Sequence, residues 1–301
     1  MKILITGATG LIGTELVAEL LNQKHTIHYL TTRKAKLEDL PNYKGFYWNP
    51  AQNSIDKNCI DGVEVVVHLA GASIAKRWTK SYKKELLDSR TKSAKLLFNL
   101  ISTTPNHVKQ IISASGTAVY PDSLTAVYDE NSPEVEQSFL STIVQKWEES
   151  IQKFQFLNIK TTLLRTGVVY SAKGGALQEM INPIKMGVGS AFGTGKQIQS
   201  WIHLTDLVQL YCFTINNQLE GIVNAVAPQT VTNQELTLDL AKHLNKKILL
   251  PNLPQWLMKL VLGEMSILLF NSKKILPSKA LQNNFHFQFP TLQKALTEII
   301  K

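Results

Sequence analysis

Lys2-Ile3-Leu4-Ile5-Thr6-Gly7-Ala8-Thr9-Gly10-Leu11-Ile12-Gly13 stands at the amino end of the chain, and its reading decides the fold. Lys2 to Ile5 predict a short buried strand. The glycines follow at the spacing G-x-x-G-x-x-G, and Thr14 to Leu21 then carry apolar residues at helical intervals. Strand, glycine turn and helix in that order are what a dinucleotide pyrophosphate needs. Gly7 permits the tight turn, Gly10 lets backbone approach the phosphates, and Gly13 lets helix pack on strand. The helix start then offers free N–H groups and the positive end of its dipole. Gly7, Thr9, Gly10, Leu11, Ile12 and Gly13 are therefore the expected cofactor contacts. The alternative is a structural turn that holds no ligand.

Working outward, His25 to Thr32 alternates and predicts the second strand, ending in Thr31-Thr32-Arg33-Lys34. An acid at that place would hold a ribose 2′-hydroxyl. A guanidinium instead suits a 2′-phosphate, through paired charge-assisted hydrogen bonds. The expected cofactor is NADP(H), with Arg33 on the phosphate and Thr32 or Lys34 assisting; the alternative is that Arg33 is a plain surface cation.

Further strands are expected at 45–48, 63–71, 108–115, 160–165 and 221–226, with long helices at 80–103 and 139–156. The β-branched run from Val63 to Val67 implies burial on both faces, as in a parallel sheet. Leu69, Ala70 and Gly71 end that strand with small residues that would let backbone lie against the cofactor. Arg90 falls on or beside the inner stripe of the first long helix, where an arginine is either paired or reaching for an anion. Ser113 and Ser115 sit at the carboxyl end of a strand, where open α/β sheets bind ligands; satisfying local backbone is their other use.

The 301 residues carry a net charge of +9, with 44% hydrophobic and 18% charged residues, enough for a large core. The basic run from Lys76 to Lys95 reads first as a solvated helix face and second as a phosphate-attracting rim. No nucleic-acid motif accompanies it. Cys59 and Cys212 have no partner spacing, so neither a disulfide framework nor a metal site is expected, and a reducing cytoplasm fits. Trp256 to Phe270 is the most apolar carboxyl-terminal stretch, but it is too short and charged to span a bilayer, and predicts a packing helix. Gly187 to Lys196 fails the P-loop frame, because Ser190 and Gln197 stand where Gly and Ser/Thr belong. It predicts a substrate loop or lid instead. From Thr232 the character is mostly helical, apart from a strand-like piece at 247–250. The expected division is 1–230, with a substrate loop at 170–205, and a smaller part at 231–301.

Gly7 to Gly13, His68-Leu69-Ala70-Gly71, Arg77-Trp78, Ser89-Arg90, Ser113-Ala114-Ser115, Lys146-Trp147-Glu148 and Arg165 to Val169 together resemble an extended short-chain dehydrogenase/reductase. Within it they resemble the atypical branch of YfcH-like, epimerase-family proteins. Gly193 to Gln197, Ser200 to His203, Asn224 to Pro228, Leu276-Pro277 and Phe285 to Phe287 extend the likeness to nearly the whole chain. The resemblance implies an α/β fold with a Rossmann-type doubly wound parallel sheet and a smaller helix-rich C-terminal substrate domain. It also implies NADP(H). The expected partner is a small-molecule substrate that is phosphorylated or nucleotide-linked, with the chain a monomer or homodimer and no nucleic-acid or membrane partner. Arg77, Trp78, Trp201 and His203 are the expected substrate contacts.

The chain departs from the wider superfamily at one point. Active members use Tyr-x-x-x-Lys on the helix after the fifth strand, where the lysine lowers the phenol's pKa. Here that helix reads Thr142-Ile143-Val144-Gln145-Lys146, and an aliphatic hydroxyl is too weak an acid for that role. Lys146, Ser115 and Tyr120, with His203, are the remaining candidates for the chemistry. Two functions follow: an NADP(H)-dependent epimerase or oxidoreductase, or a non-catalytic NADP(H)-binding sensor or scaffold.

Overall fold

The computed structural model describes residues 1–301. Seven parallel strands form its centre: β1 (Lys2–Thr6), β2 (Thr26–Thr31), β3 (Tyr43–Asn49), β4 (Val65–His68), β5 (Gln110–Gly116), β6 (Lys160–Thr166) and β7 (Gly221–Ala225). Their order is β3-β2-β1-β4-β5-β6-β7, with Asp39–Leu40 pairing antiparallel on β3. The order reverses between β1 and β4. A crevice opens at such a switch point, beyond the carboxyl ends of the strands.

Both faces of the sheet are covered, so its strands carry apolar residues at successive positions. Ile3 and Ile5 face α1 (Leu11–Asn22) and α5 (Leu204–Asn216), packing with Leu16, Leu20, Leu207 and Tyr211. Leu4, between them, faces the other way, with Leu97 of α2 (Lys80–Thr103) and Trp147 of α3 (Phe139–Gln152). The same alternation separates Val66 from Val65 and Val67, and Ile111 from Ile112. Thr79 caps α2 by accepting from the Tyr82 N–H, and Ser138 caps α3 from Ser141.

A second core gathers Tyr170, Leu177, Ile181 and Trp201 with Leu236, Leu240, Leu292 and Leu296. It is built by α4 (Ala176–Lys185), α6 (Asn233–His243) and α10 (Leu292–Ile299), so it draws on residues from both sides of position 231. Between α6 and α10 come α7 (Gln255–Leu262), α8 (Ile267–Phe270) and α9 (Ser278–Gln282). Asp206, buried at the start of α5, accepts the Gln288 and Phe289 N–H groups at 2.7 and 2.9 Å and ties this part to the sheet layer.

Three expectations need correction. Residues 176–185, expected within a loop, are helical, because Leu177, Ile181 and Ile184 bury one stripe despite Pro183. Residues 247–250 form no strand. Trp256 to Phe270 does not form one packing helix: α7 has no buried residue, and the packing is done beyond it by Met265 and Ile267 against Trp78, Leu86 and Ile143.

Candidate functional site

The glycine turn lies at the switch point. Gly7 has φ +72°, and a Cβ there would stand 3.0 Å from the Leu69 carbonyl carbon and 3.1 Å from the Ala70 nitrogen. No side chain fits. A Cβ on Gly13 would meet the Gly7 oxygen at 2.2 Å, so this glycine sets the approach of α1 to the turn. Gly10 is different. A Cβ there would meet only the Gly7 oxygen, at 3.4 Å, so its missing side chain leaves open space rather than relieving a clash. Thr9 and Gly10 are exposed, and Leu11 and Ile12 are half-buried. The first intrahelical bond of α1 runs from Thr14 N–H to Gly10 O at 2.9 Å, leaving the N–H groups of Leu11, Ile12 and Gly13 without an acceptor. Three free donors and the dipole end suit a pyrophosphate.

A buried relay fixes the wall opposite the turn. Thr6 Oγ1 accepts the Leu69 and Ala70 N–H groups, both at 3.1 Å, and so gives its own proton to His68 Nδ1 at 2.8 Å. His68 therefore carries its proton on Nε2 and donates to Ser93 Oγ at 3.1 Å, while Ser93 donates to the Ser89 and Arg90 carbonyls. Burial, with the Arg90 charge adding to it, pushes the imidazole down to about 3, so it is neutral. Thr6 and His68 thus orient the backbone of Leu69 and Ala70, which line the crevice half-buried beside exposed Gly71. The sequence reading missed this pair, although His68 is part of one of its motifs.

Two arginines border the crevice without a carboxylate partner. Arg33 follows β2, is exposed together with Thr32, and forms no ion pair. Arg90 is half-buried; its Cζ would lie 3.1 Å from a Cβ on Gly71, and it sits 5.0 Å from the centre of the Trp147 ring. Its single hydrogen bond goes from Nη1 to the Leu86 carbonyl, so most of its donors are unspent. Burial lowers its pKa to about 10, which leaves it charged at neutral pH.

The expected chemical groups are spent on other contacts. Ser115 Oγ donates to Glu148 Oε1 at 2.5 Å, and Arg165 holds the same carboxylate through Nε and Nη2 at 2.9 and 2.8 Å. All three are buried, so Ser115 is a member of an ion-pair network and not a free hydroxyl. Ser113 is fully buried and donates to the Ala114 carbonyl. Tyr120 is also fully buried; it donates to Asn224 Oδ1 at 2.8 Å and burial raises its pKa. Lys146 is exposed on the outer side of α3, 3.8 Å from Glu149.

Glu148, which bonds Ser115, shows which side of α3 faces the end of β5. One turn earlier on that side is Val144, 3.4 Å from a Cβ built on Gly116; one turn before that is Leu140. Thr142 and Lys146 lie half a turn around. The spacing that would aim a Tyr-x-x-x-Lys pair at the strand end therefore falls on Leu140 and Val144, and both are aliphatic. Reading the pair at 142 and 146 put it on the wrong face.

The expected substrate contacts divide. Arg77 is exposed in the loop after β4. Trp78 is buried against Leu86 and Ile143, edge-on to Phe139 at 5.7 Å, and donates to the Ile74 carbonyl, so it pins that loop. Trp201 is fully buried and stacks on Tyr170 at 5.1 Å in the second core. His203 caps α5: its Nδ1 accepts the Thr205 N–H, so Nε2 carries the proton given to Glu298 at 3.0 Å. Burial lowers its pKa despite Glu298. Trp78 and His203 spend their ring N–H groups within the chain, and Trp201 packs in the second core with its indole N–H unpartnered.

Residues 3–226 match the family described as NAD dependent epimerase/dehydratase, and residues 253–299 match a domain of unknown function (DUF1731). Epimerase family protein SA0724 of Staphylococcus aureus (strain N315) is 36% identical over 302 residues, covering 99% of this chain and 98% of that protein. The chloroplastic SDR39U1 homolog of Arabidopsis thaliana, also called an epimerase family protein, is 36% identical over 305 residues, covering 100% of this chain and 87% of that one. Among solved structures, the human epimerase family protein SDR39U1 (isoform 2), crystallised with NADPH, superposes with a TM-score of 0.85 at 30% identity, over 100% of this chain and 99% of that one.

Proposed function

Because the chain belongs to the NAD dependent epimerase/dehydratase family, we propose that it binds NADP(H) along the turn of residues 7–13 and exchanges a hydride with a small carbonyl or sugar-nucleotide substrate. The N–H groups of Leu11, Ile12 and Gly13 receive the pyrophosphate, and the open side of Gly10 admits it. Arg33, with Thr32, takes the 2′-phosphate. The observation that carries the choice of NADP(H) is that Arg33 is exposed, unpaired and placed directly after β2, where NAD-type sites have an acid. The human relative's NADPH supports the same choice. Leu69, Ala70 and Gly71 give the cofactor a backbone wall, and Arg90 presents a cation from below it. The nicotinamide supplies the hydride when bound.

The chain's own part in the chemistry is to bind, orient and hold charge. Leu140, Val144 and Gly116 offer no proton where the superfamily keeps its phenol and lysine. Epimerisation through a phenolate is therefore disfavoured, and reduction of a carbonyl whose oxygen is protonated from solvent is the better fit. Arg90 and exposed Arg77 favour a substrate with anionic groups.

The same aliphatic row supports a second reading, a protein that holds NADP(H) without turnover. The experiment is to follow NADPH absorbance with the purified chain across simple carbonyl compounds and nucleotide sugars, after fluorescence titration has established binding. Oxidation with any substrate supports the reductase. Tight binding without oxidation supports the second reading.

A further inference from the structure

We propose that residues 240–263, with α7 at their end, dock this protein on the surface of an anionic lipid bilayer. Helices of globular proteins persist chiefly by burying an apolar stripe. Six of the eight residues of α7 are apolar, yet none is buried. Trp256, Leu260 and Val261 are 69, 73 and 61% exposed, and Leu249, in the loop before the helix, is 78% exposed. The segment is not a frayed end. Leu253 N–H donates to the Ala191 carbonyl and Gly193 N–H to the Leu253 carbonyl, both at 2.8 Å, while just beyond the helix Glu264 pairs with Lys83 of α2. The fold therefore holds an apolar helix out to its surroundings.

Charge selects the occupant. From Leu240 to Gly263 there is no Asp or Glu. Lys242, Lys246, Lys247 and Lys259 are exposed, and none has a carboxylate within ion-pair distance. Of the acids that bound the segment, Glu264 is paired with Lys83, while Asp239 accepts only from the neutral amide of Gln293. A second copy of the chain, itself at +9, would set these lysines against their equivalents if the two met about a two-fold axis. An anionic surface satisfies both features at once: lysines reach lipid phosphates while tryptophan and leucine enter the headgroup boundary. No helix is long and apolar enough to cross a membrane, so the attachment is peripheral.

The test is co-sedimentation of the full chain with vesicles of phosphatidylcholine, with and without phosphatidylglycerol, at low and high salt. Two variants are compared, Trp256→Ser/Leu260→Ser and Lys246→Gln/Lys247→Gln/Lys259→Gln, with circular dichroism and thermal unfolding to confirm that they fold as the parent does. Binding to the anionic vesicles, weakened by salt and reduced about tenfold or more in each variant, is the expected result. The proposal is overturned if anionic vesicles retain no protein at low salt, or if the variants bind like the parent. It is also overturned if the parent is a dimer without lipid that Trp256→Ser/Leu260→Ser converts to monomer, since the face then belongs to a second copy.

Discussion

Arg165 and Glu148 face each other in a two-pronged ion pair, Nε to Oε1 at 2.9 Å and Nη2 to Oε2 at 2.8 Å, with side chains 9 and 8% exposed. The pair joins β6 to α3, and Ser115 adds a third bond from β5. Burial works against the Arg165 charge, but the hydrogen bonds and charge of Glu148 carry its pKa above the usual value. Removing one partner of such a pair leaves a buried charge uncompensated. Glu148→Ala is expected to lower stability by about 3–5 kcal/mol. Ser115→Ala, which removes one hydroxyl donor to that carboxylate, is expected to cost about 1.5–3 kcal/mol. Urea unfolding of both variants checks the order; equal losses would mean that Ser115 has another role.

Stability is also expected to fall in mild acid. His68 is neutral in the fold with a pKa of about 3, against an ordinary value of 6.5. Between those values the unfolded chain binds a proton that the folded chain does not. Stability therefore decreases as pH falls through that window, by up to ~1.4 kcal/mol per pH unit from this group. The contribution is complete above 6.5 and levels off below about 3. His68→Asn is expected to have a flatter urea-midpoint profile between pH 4.5 and 7 (roughly the middle and top of the window). A profile as steep as the parent's would assign the acid sensitivity to other groups.

The glycines of the turn are expected to separate fold from binding. Gly13→Val places carbon where the Gly7 oxygen and Ala8 backbone already are, and is expected to cost about 3 kcal/mol or more. Gly10→Val meets little protein, so thermal unfolding is expected to stay near the parent's while NADPH titration fails. Loss of stability in both variants, with binding intact at position 10, would contradict the assignment of Gly10 to the pyrophosphate.

Restoring a proton relay has one geometrically sensible form. Thr142→Tyr projects from the outer side of α3 and is expected to leave NADPH turnover unchanged. Leu140→Tyr/Val144→Lys places the pair on the side that meets Gly116, and is the variant expected to raise turnover with a carbonyl or nucleotide-sugar panel. A gain with Thr142→Tyr instead would mean that the outer side of α3 faces the substrate.

Much of this was legible in the residues alone. The β-branched core of β4 and the apolar spacing of α2 placed those elements to within a few positions, because burial on both faces or along one stripe leaves a periodic record. The glycine turn was legible as a local strand-turn-helix pattern, and so was the place of Arg33 just beyond β2. Contacts between distant segments were not. Nothing in Ser113-Ala114-Ser115 states that Ser115 lies against Glu148, and without that contact the orientation of α3 had to be guessed from Lys146. Trp201 and His203 sit in a motif, yet only the second core shows them to be packing and capping groups. α4 was hidden by Pro183 and the glycines on either side, and the apolar character of α7 suggested burial that the fold does not provide.

Calorimetric titration of NADPH and NADH into the parent and Arg33→Glu is the measurement closest to the centre of this account. The parent is expected to bind NADPH more tightly than NADH by at least about tenfold, a difference of ~1.4 kcal/mol, as charge-assisted hydrogen bonds to a phosphate provide. Arg33→Glu is expected to erase or reverse that preference while leaving NADH affinity nearly unchanged. Equal affinity for the two cofactors in the parent, or a preference for NADPH that survives in Arg33→Glu, would contradict it.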